Sequence, residues 1–165
     1  MGIESPMLTA FVARMALPEI NLAAWGSLIY PISLAVEGPI IMLLAASTAL
    51  ATDKIAYRKL FKYMVVMSLV LTTIHVLIAF TPLFYVVANG LLKVPVVLHE
   101  PGRIGLQIMT PWTIMIAWRR LNQGVMIKYG NSQSVALGTV IRLITLLSVL
   151  FFGITYTDWS GAKVG

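Results

Sequence analysis

From Tyr63 to Leu92 the chain carries no formal charge, and its one imidazole is His75. A stretch of that length and polarity is not a water-facing surface. It either fills the centre of a large core or crosses a bilayer, for which roughly 20 apolar residues suffice. The whole chain has 165 residues, enough for one domain, and it is 59% hydrophobic and only 11% charged. Soluble domains carry about 25% charged residues, and the mean hydropathy of +0.89 points the same way. The sequence therefore describes an all-α, polytopic integral membrane protein, whose first partner is the lipid bilayer.

Charge positions divide the chain into spans. Between Glu19 and Asp53 the one charge is Glu37, which gives a first span at about 22–51. The uncharged stretch gives a second at about 63–91. A third, about 104–127, contains Arg119 and Arg120, and a fourth, about 134–157, contains Arg142. Four spans are the minimum, in a single transmembrane bundle covering 1–165. "PMLTAFVARMALPE" is too short to span and reads as an interfacial helix or the last part of a longer one. "WSGAKVG" reads as the possible opening of another helix.

The basic residues fall between the apolar runs, as membrane topology requires, so the net charge of +6 is not a nucleic-acid signature. Lys54, Arg58, Lys59 and Lys62 join Arg119, Arg120 and Lys128 on one side. Arg14, Lys93, Arg103 and Lys163 fall on the other. The positive-inside bias assigns the first group to the cytoplasm. No basic n-region or cleavage site opens the chain, so no cleaved signal peptide is expected. Without cysteine there is no disulfide or thiolate chemistry.

Helical spacing at i, i+4 and i+7 puts residues on one face. Gly26, Tyr30, Ser33 and Glu37 form such a stripe. So do Ser68, Thr72, His75, Ala79 and Pro82. The third span offers Thr110, Thr113, Ala117, Arg120 and Gly124, and the fourth Gly138, Arg142 and Thr145. For hydroxyls and glycines alone, helix–helix packing is the stronger reading. The charges argue for more. Arginine near mid-bilayer costs about 2.5–3.5 kcal/mol on insertion scales, so it faces protein or water.

Adjacent residues on a helix diverge by about 100°. One of Arg119 and Arg120 is thus expected to reach the headgroups, and the threonine stripe nominates Arg120 for the interior with Arg142. Three arginines against one acid leave a surplus that an anionic substrate or lipid phosphate can satisfy. Arg120, Arg142 and Arg119 are therefore the candidate substrate-binding residues. Glu37 reads equally as a structural ion pair or as a coupling-ion or proton site. His75 is more often a hydrogen-bonded packing residue than a proton carrier, and remains a candidate. Pro31, Pro39, Pro82 and Pro111 interrupt the first three spans, as in the broken helices of transporters. No phosphate loop, nucleophile elbow or metal cluster is present, so neither enzymatic activity nor a cofactor or metal is expected.

"LAAWGSLIYPISLAVEGPIIMLLAASTAL", "HVLIAFTPLFYVVANGLL" and "AWRRLNQGVMIKYGNSQSVALGTVIRL" resemble the multidrug/oligosaccharidyl-lipid/polysaccharide (MOP) exporter superfamily. The likeness covers roughly 12–160. It is nearest to progressive-ankylosis-protein-like (ANK-like) transporters, with multidrug-and-toxin extrusion (MATE) proteins more distant. The resemblance implies helices two to five of a six-helix bundle, completed by a second bundle or by a homodimer. It also implies antiport-type efflux of organic anions or amphiphiles by alternating access, with anions such as pyrophosphate, ATP or citrate. A bacterial inner membrane is the expected location. The alternative expectation is a non-transporting membrane scaffold or partner subunit, with Glu37 and an arginine as a structural pair. A membrane-embedded enzyme is a distant third.

Overall fold

The computed structural model describes residues 4–14 and 17–156, and every regular element among them is helical. α1 (Glu4–Val12) and α2 (Pro18–Ala24) lead through a π-helical stretch, Trp25–Ile29, into α3 (Tyr30–Leu50). α4 is Lys54–Phe80. The short α5 (Leu83–Tyr85) runs into a second π-helical stretch, Val86–Leu91, and a 3-10 turn at Val96–Leu98 opens α6 (His99–Ile108). α7 (Trp112–Lys128) and α8 (Ser132–Tyr156) follow. The terminal "WSGAKVG" lies outside the described residues.

Three segments are long and apolar enough to cross a membrane: Pro18–Leu50, Lys54–Phe80 and Ser132–Gly153. The third expected span is no single helix. It is α6 and α7, separated at Met109–Pro111, where Trp112 N–H bonds Met109 C=O in a turn. Pro111 has no N–H to donate and disfavours helical backbone at Thr110, so the helix stops and restarts. Pro82 acts likewise on the second span, holding Thr81 extended (φ −102, ψ 171) and ending α4 at Phe80 rather than near Leu91. Pro31 and Pro39 lie within one continuous helical segment. A π-helical turn, closed by Tyr30 N–H on Trp25 C=O, stands immediately ahead of Pro31.

Starts and stops are written locally. Asp53 caps α4, its carboxylate accepting from the N–H groups of Ile55 (2.7 Å) and Ala56 (2.8 Å). Gly130 (φ 75) follows α7, with its own N–H on Ile127 C=O (3.1 Å) and Asn131 N–H on Met126 C=O (2.8 Å). That bond pattern is a Schellman stop, which needs a left-handed residue and so favours glycine. It reverses the chain into α8.

α3, α4 and α7 form the packed centre. α3 and α7 run parallel in a fixed register. Ser33 Oγ contacts Met109 Sδ and Thr48 Oγ1 donates to Gly124 C=O, each pair 76 residues apart. The same offset puts Glu37 level with Thr113. At the far end Lys128 Nζ donates to Ala49 C=O (2.7 Å), and Tyr129 OH to Ala51 and Thr52 C=O (3.1 Å each). The helices approach closely at Gly124, where an added Cβ meets Ser47 Oγ and sits 2.6 Å from Leu44 C=O.

Two apolar clusters divide this centre. One gathers Leu28, Ile29, Ile32, Ala79, Phe84 and Leu106 with their neighbours. The other gathers Ile40, Leu43, Met64, Ile116, Ala117 and Leu121. α8 lies beside α7 with only 6% of its apolar window buried.

The Gly124 contact is testable. Gly124→Val forces backbone against a side chain and is expected to destabilise by about 1–3 kcal/mol, the range for overpacking. Gly138→Ala, in open space on α8, is expected to be neutral or stabilising. Thermal unfolding in detergent checks both, and equal midpoints for the two variants contradict the close approach.

Candidate functional site

The polar side chains collect in two places. The first is a layer between the apolar clusters. On α3 it occupies the interval between Ile32 and Ile40, with Ser33 and Glu37 buried. On α4 it contributes Thr72 and buried His75, before Ala79 of the first cluster. At the break between α6 and α7 it contributes Thr110 and buried Thr113, between Leu106 and Ile116. Three of the four expected stripes thus converge here because the helices carrying them pack together.

The layer is under-satisfied. Glu37 Oε1, Thr72 Oγ1, His75 Nδ1, Thr110 Oγ1 and Thr113 Oγ1 are buried without a hydrogen-bond partner. Such groups cost about 1–3 kcal/mol each when left unmade, so their concentration in one layer marks it as unlike ordinary packing. Glu37 has Trp112 as its hydrogen-bonding neighbour, and Arg119 and Arg120 act on it through space. The acid and the arginines therefore form an electrostatic group rather than a tight hydrogen-bonded pair. His75 Nε2 lies 2.9 Å from Leu106 C=O and donates to it. This bond holds α6 against α4 and leaves Nδ1 as an open acceptor.

The stripes differ in detail from their ideal form. Gly26 and Tyr30 are exposed although Ser33 and Glu37 are buried. The π-helical turn at Trp25–Ile29 shifts the phase upstream of it, so buried Leu28 replaces them. Pro82 is exposed because α4 has already ended. Arg120 keeps its place on the Thr113–Ala117–Gly124 face, half-buried, with Nε unpartnered.

The second place is a cleft of about 450 Å³ between α7 and α8, with Arg119 and Arg142 on facing walls. Asn122 and Gln123 extend the α7 wall, and Ser134 and Thr139 the α8 wall. The structure thus brings Arg142 to the same cleft as Arg119, whereas Arg120 does not line it. The divergence of adjacent helical residues was legible, but not which arginine faces α8. Arg119, Asn122, Gln123 and Met126 fall on one side of α7, away from the Gly124 side that packs on α3. That second polar face is the signal for the cleft. Gly138 and Arg142 line it together, and Thr145 turns its hydroxyl to Ile141 C=O (3.0 Å). Arg119 Nε is buried and unpartnered.

Arg103 also has a role that its loop-like sequence context conceals. It donates from Nε to Ala79 C=O (3.1 Å) and from Nη2 to Phe80 C=O (3.0 Å), and its guanidinium lies 5.6 Å from the Tyr85 ring centre. Gln107 adds a bond to Ala79 C=O (3.2 Å). A cation on the last carbonyls of a helix satisfies both their lone pairs and the helix dipole. α6 is thereby latched to the end of α4. Among the described residues no three His, Cys, Asp or Glu side chains come together as a metal site.

No family model, curated protein or solved structure matches the chain.

A double-mutant cycle between Glu37→Gln and Arg119→Gln checks the electrostatic group. Non-additivity of about 0.5–3 kcal/mol is expected for coupled neighbours. Strict additivity means that the two side chains do not sense one another.

Proposed function

We propose that the chain is part of a secondary active transporter, with the α7–α8 cleft as the path for a small organic anion or the anionic head of an amphiphile. The carrying observation is the pair of arginines, Arg119 and Arg142, on facing walls of one cleft with amide and hydroxyl neighbours. Both lie roughly 14 Å along their helices from the α7–α8 turn, at 1.5 Å per residue. That depth is close to half the bilayer's hydrocarbon thickness of about 30 Å. A guanidinium at such depth is poorly solvated, and a ligand with several acceptor oxygens can meet both walls of the cleft through charge-assisted hydrogen bonds.

In this reading Asn122, Gln123, Ser134 and Thr139 replace water along the wall as the anion passes. The turn end of the cleft faces the cytoplasm under the positive-inside assignment, and α6–α7 make the fourth, broken crossing. Glu37 serves as the coupling site. Its unpartnered oxygen and the three threonine hydroxyls of the polar layer are suited to a proton or a small hydrated cation. Protonation or cation binding at Glu37 changes the field at Arg119, which links the coupling layer to the cleft. A MATE-like arrangement, completed by a second bundle or a second copy of the chain, supplies the opposite wall of an alternating-access cavity.

A scaffold role is the second reading. The observation that favours it is the use of His75 as a packing bond between α4 and α6.

The two separate on flux. In proteoliposomes loaded with citrate or pyrophosphate, Arg142→Gln and Arg119→Gln are each expected to lower flux at least tenfold at unchanged thermal stability, with Arg142→Lys intermediate. Unaltered flux in both neutral variants makes the arginines structural. No flux in the native protein, reconstituted with any partner that co-purifies with it, favours the scaffold.

A further inference from the structure

The outward face of α4 changes character along its length. Val66, Leu69, Val70, Leu77 and Phe80 are all exposed large apolar side chains, on the side of the helix opposite buried Met64, Ser68, His75 and Ala79. Continued towards the helix start, the same side carries Arg58, Lys59 and Lys62, each exposed. Lys59, Lys62, Val66, Leu69, Thr73 and Leu77 follow one another at steps of three or four residues, the spacing of a single helical stripe. The stripe is therefore cationic at its foot and apolar above it.

Helix length fixes where that change occurs. α4 has 27 residues, which at 1.5 Å per residue is about 40 Å. The hydrocarbon layer is about 30 Å and takes roughly 20 residues. Counted back from Phe80, those residues reach Phe61, so Arg58 and Lys59 lie at headgroup depth and Lys62 at the boundary. From there its flexible stem extends outward to the phosphates. Tyr63, 60% exposed beside it, is the residue type favoured at that interface. None of the three cations has a carboxylate within its own helix turn, and the nearest acid along the sequence, Asp53, caps α4.

We infer that the foot of α4 is a binding site for an anionic phospholipid, whose phosphate is held by Arg58, Lys59 and Lys62 and whose acyl chains lie along Val66, Leu69 and Val70. The site is separate from the α7–α8 cleft and does not depend on the transport reading. It recognises headgroup charge at the leaflet that contains the α3–α4 turn. A free phosphate meets the cations but not the apolar half, and so gains little.

The test titrates the full chain in detergent micelles with phosphatidylglycerol, with phosphatidylcholine of the same acyl chains, and with water-soluble glycerophosphate. The readouts are thermal midpoint and bound lipid by native mass spectrometry. Phosphatidylglycerol is expected to raise the midpoint and to remain bound, and the other two are not. Basic residues near an anionic surface contribute about fivefold in affinity each, so Arg58→Gln/Lys59→Gln/Lys62→Gln is expected to lose on the order of a hundredfold. Should that variant fail to fold, the same loss is read from wild type in high salt, where headgroup attraction is screened. Equal binding of both lipids, equal binding by wild type and triple variant, salt-insensitive binding, or an equal effect of glycerophosphate overturns the site.

Discussion

Everything in this molecule is hung on the contact between α3 and α7. Gly124 lets the two helices approach until Ser47 and Leu44 touch its backbone, and Thr48 bonds its carbonyl. With the matching contact of Ser33 and Met109, this sets a constant register between two parallel helices. The register has consequences at both ends. It places Glu37 level with Thr113, and it turns the opposite side of α7, with Arg119, towards α8. A side chain at position 124 moves both at once.

That geometry divides the polar groups into two populations with different physics. In the layer between the apolar clusters the groups are closely enclosed and mostly short: hydroxyls, one imidazole and one carboxyl. In the cleft they are long, cationic or amide, and lie at the edge of the packed centre. Arg119 belongs to both, since it lines the cleft and also acts on Glu37 through space. The helix break at Met109–Pro111 sits beside the layer, and the bonds of His75, Arg103 and Gln107 hold the α6 side of that break in place.

Much of the helical pattern was legible in charge spacing. Glu19, Asp53, Lys62 and Lys93 bracket the apolar runs, and the threonine and serine stripes do mark the faces on which α3, α4 and α7 meet. The breaks were less legible. Four prolines stand in similar apolar surroundings, yet Pro31 and Pro39 ride inside a continuous helix while Pro82 and Pro111 mark interruptions. A π-helical turn stands ahead of Pro31, but nothing in the neighbouring residues separates Pro39 from Pro82 and Pro111. The choice between Arg119 and Arg120 was hidden for a similar reason. It depends on which side of α7 the partner helix α8 occupies, and the Schellman turn at Gly130 decides that only in three dimensions.

The α7–α8 cleft as an anion path carries the functional account, and the chain is well suited to a direct test because it contains no cysteine. Single cysteines at Thr139, on the cleft wall, and at Leu137, exposed on α8, can be challenged in membranes with negatively and positively charged thiol reagents that do not permeate the bilayer. The account predicts that Thr139→Cys reacts, and faster with the anionic reagent, while Leu137→Cys stays inert in lipid. It further predicts that adding Arg119→Gln and Arg142→Gln removes the charge preference. If Thr139→Cys is as unreactive as Leu137→Cys, or reacts without preference for the anion, the cleft is not an anion path.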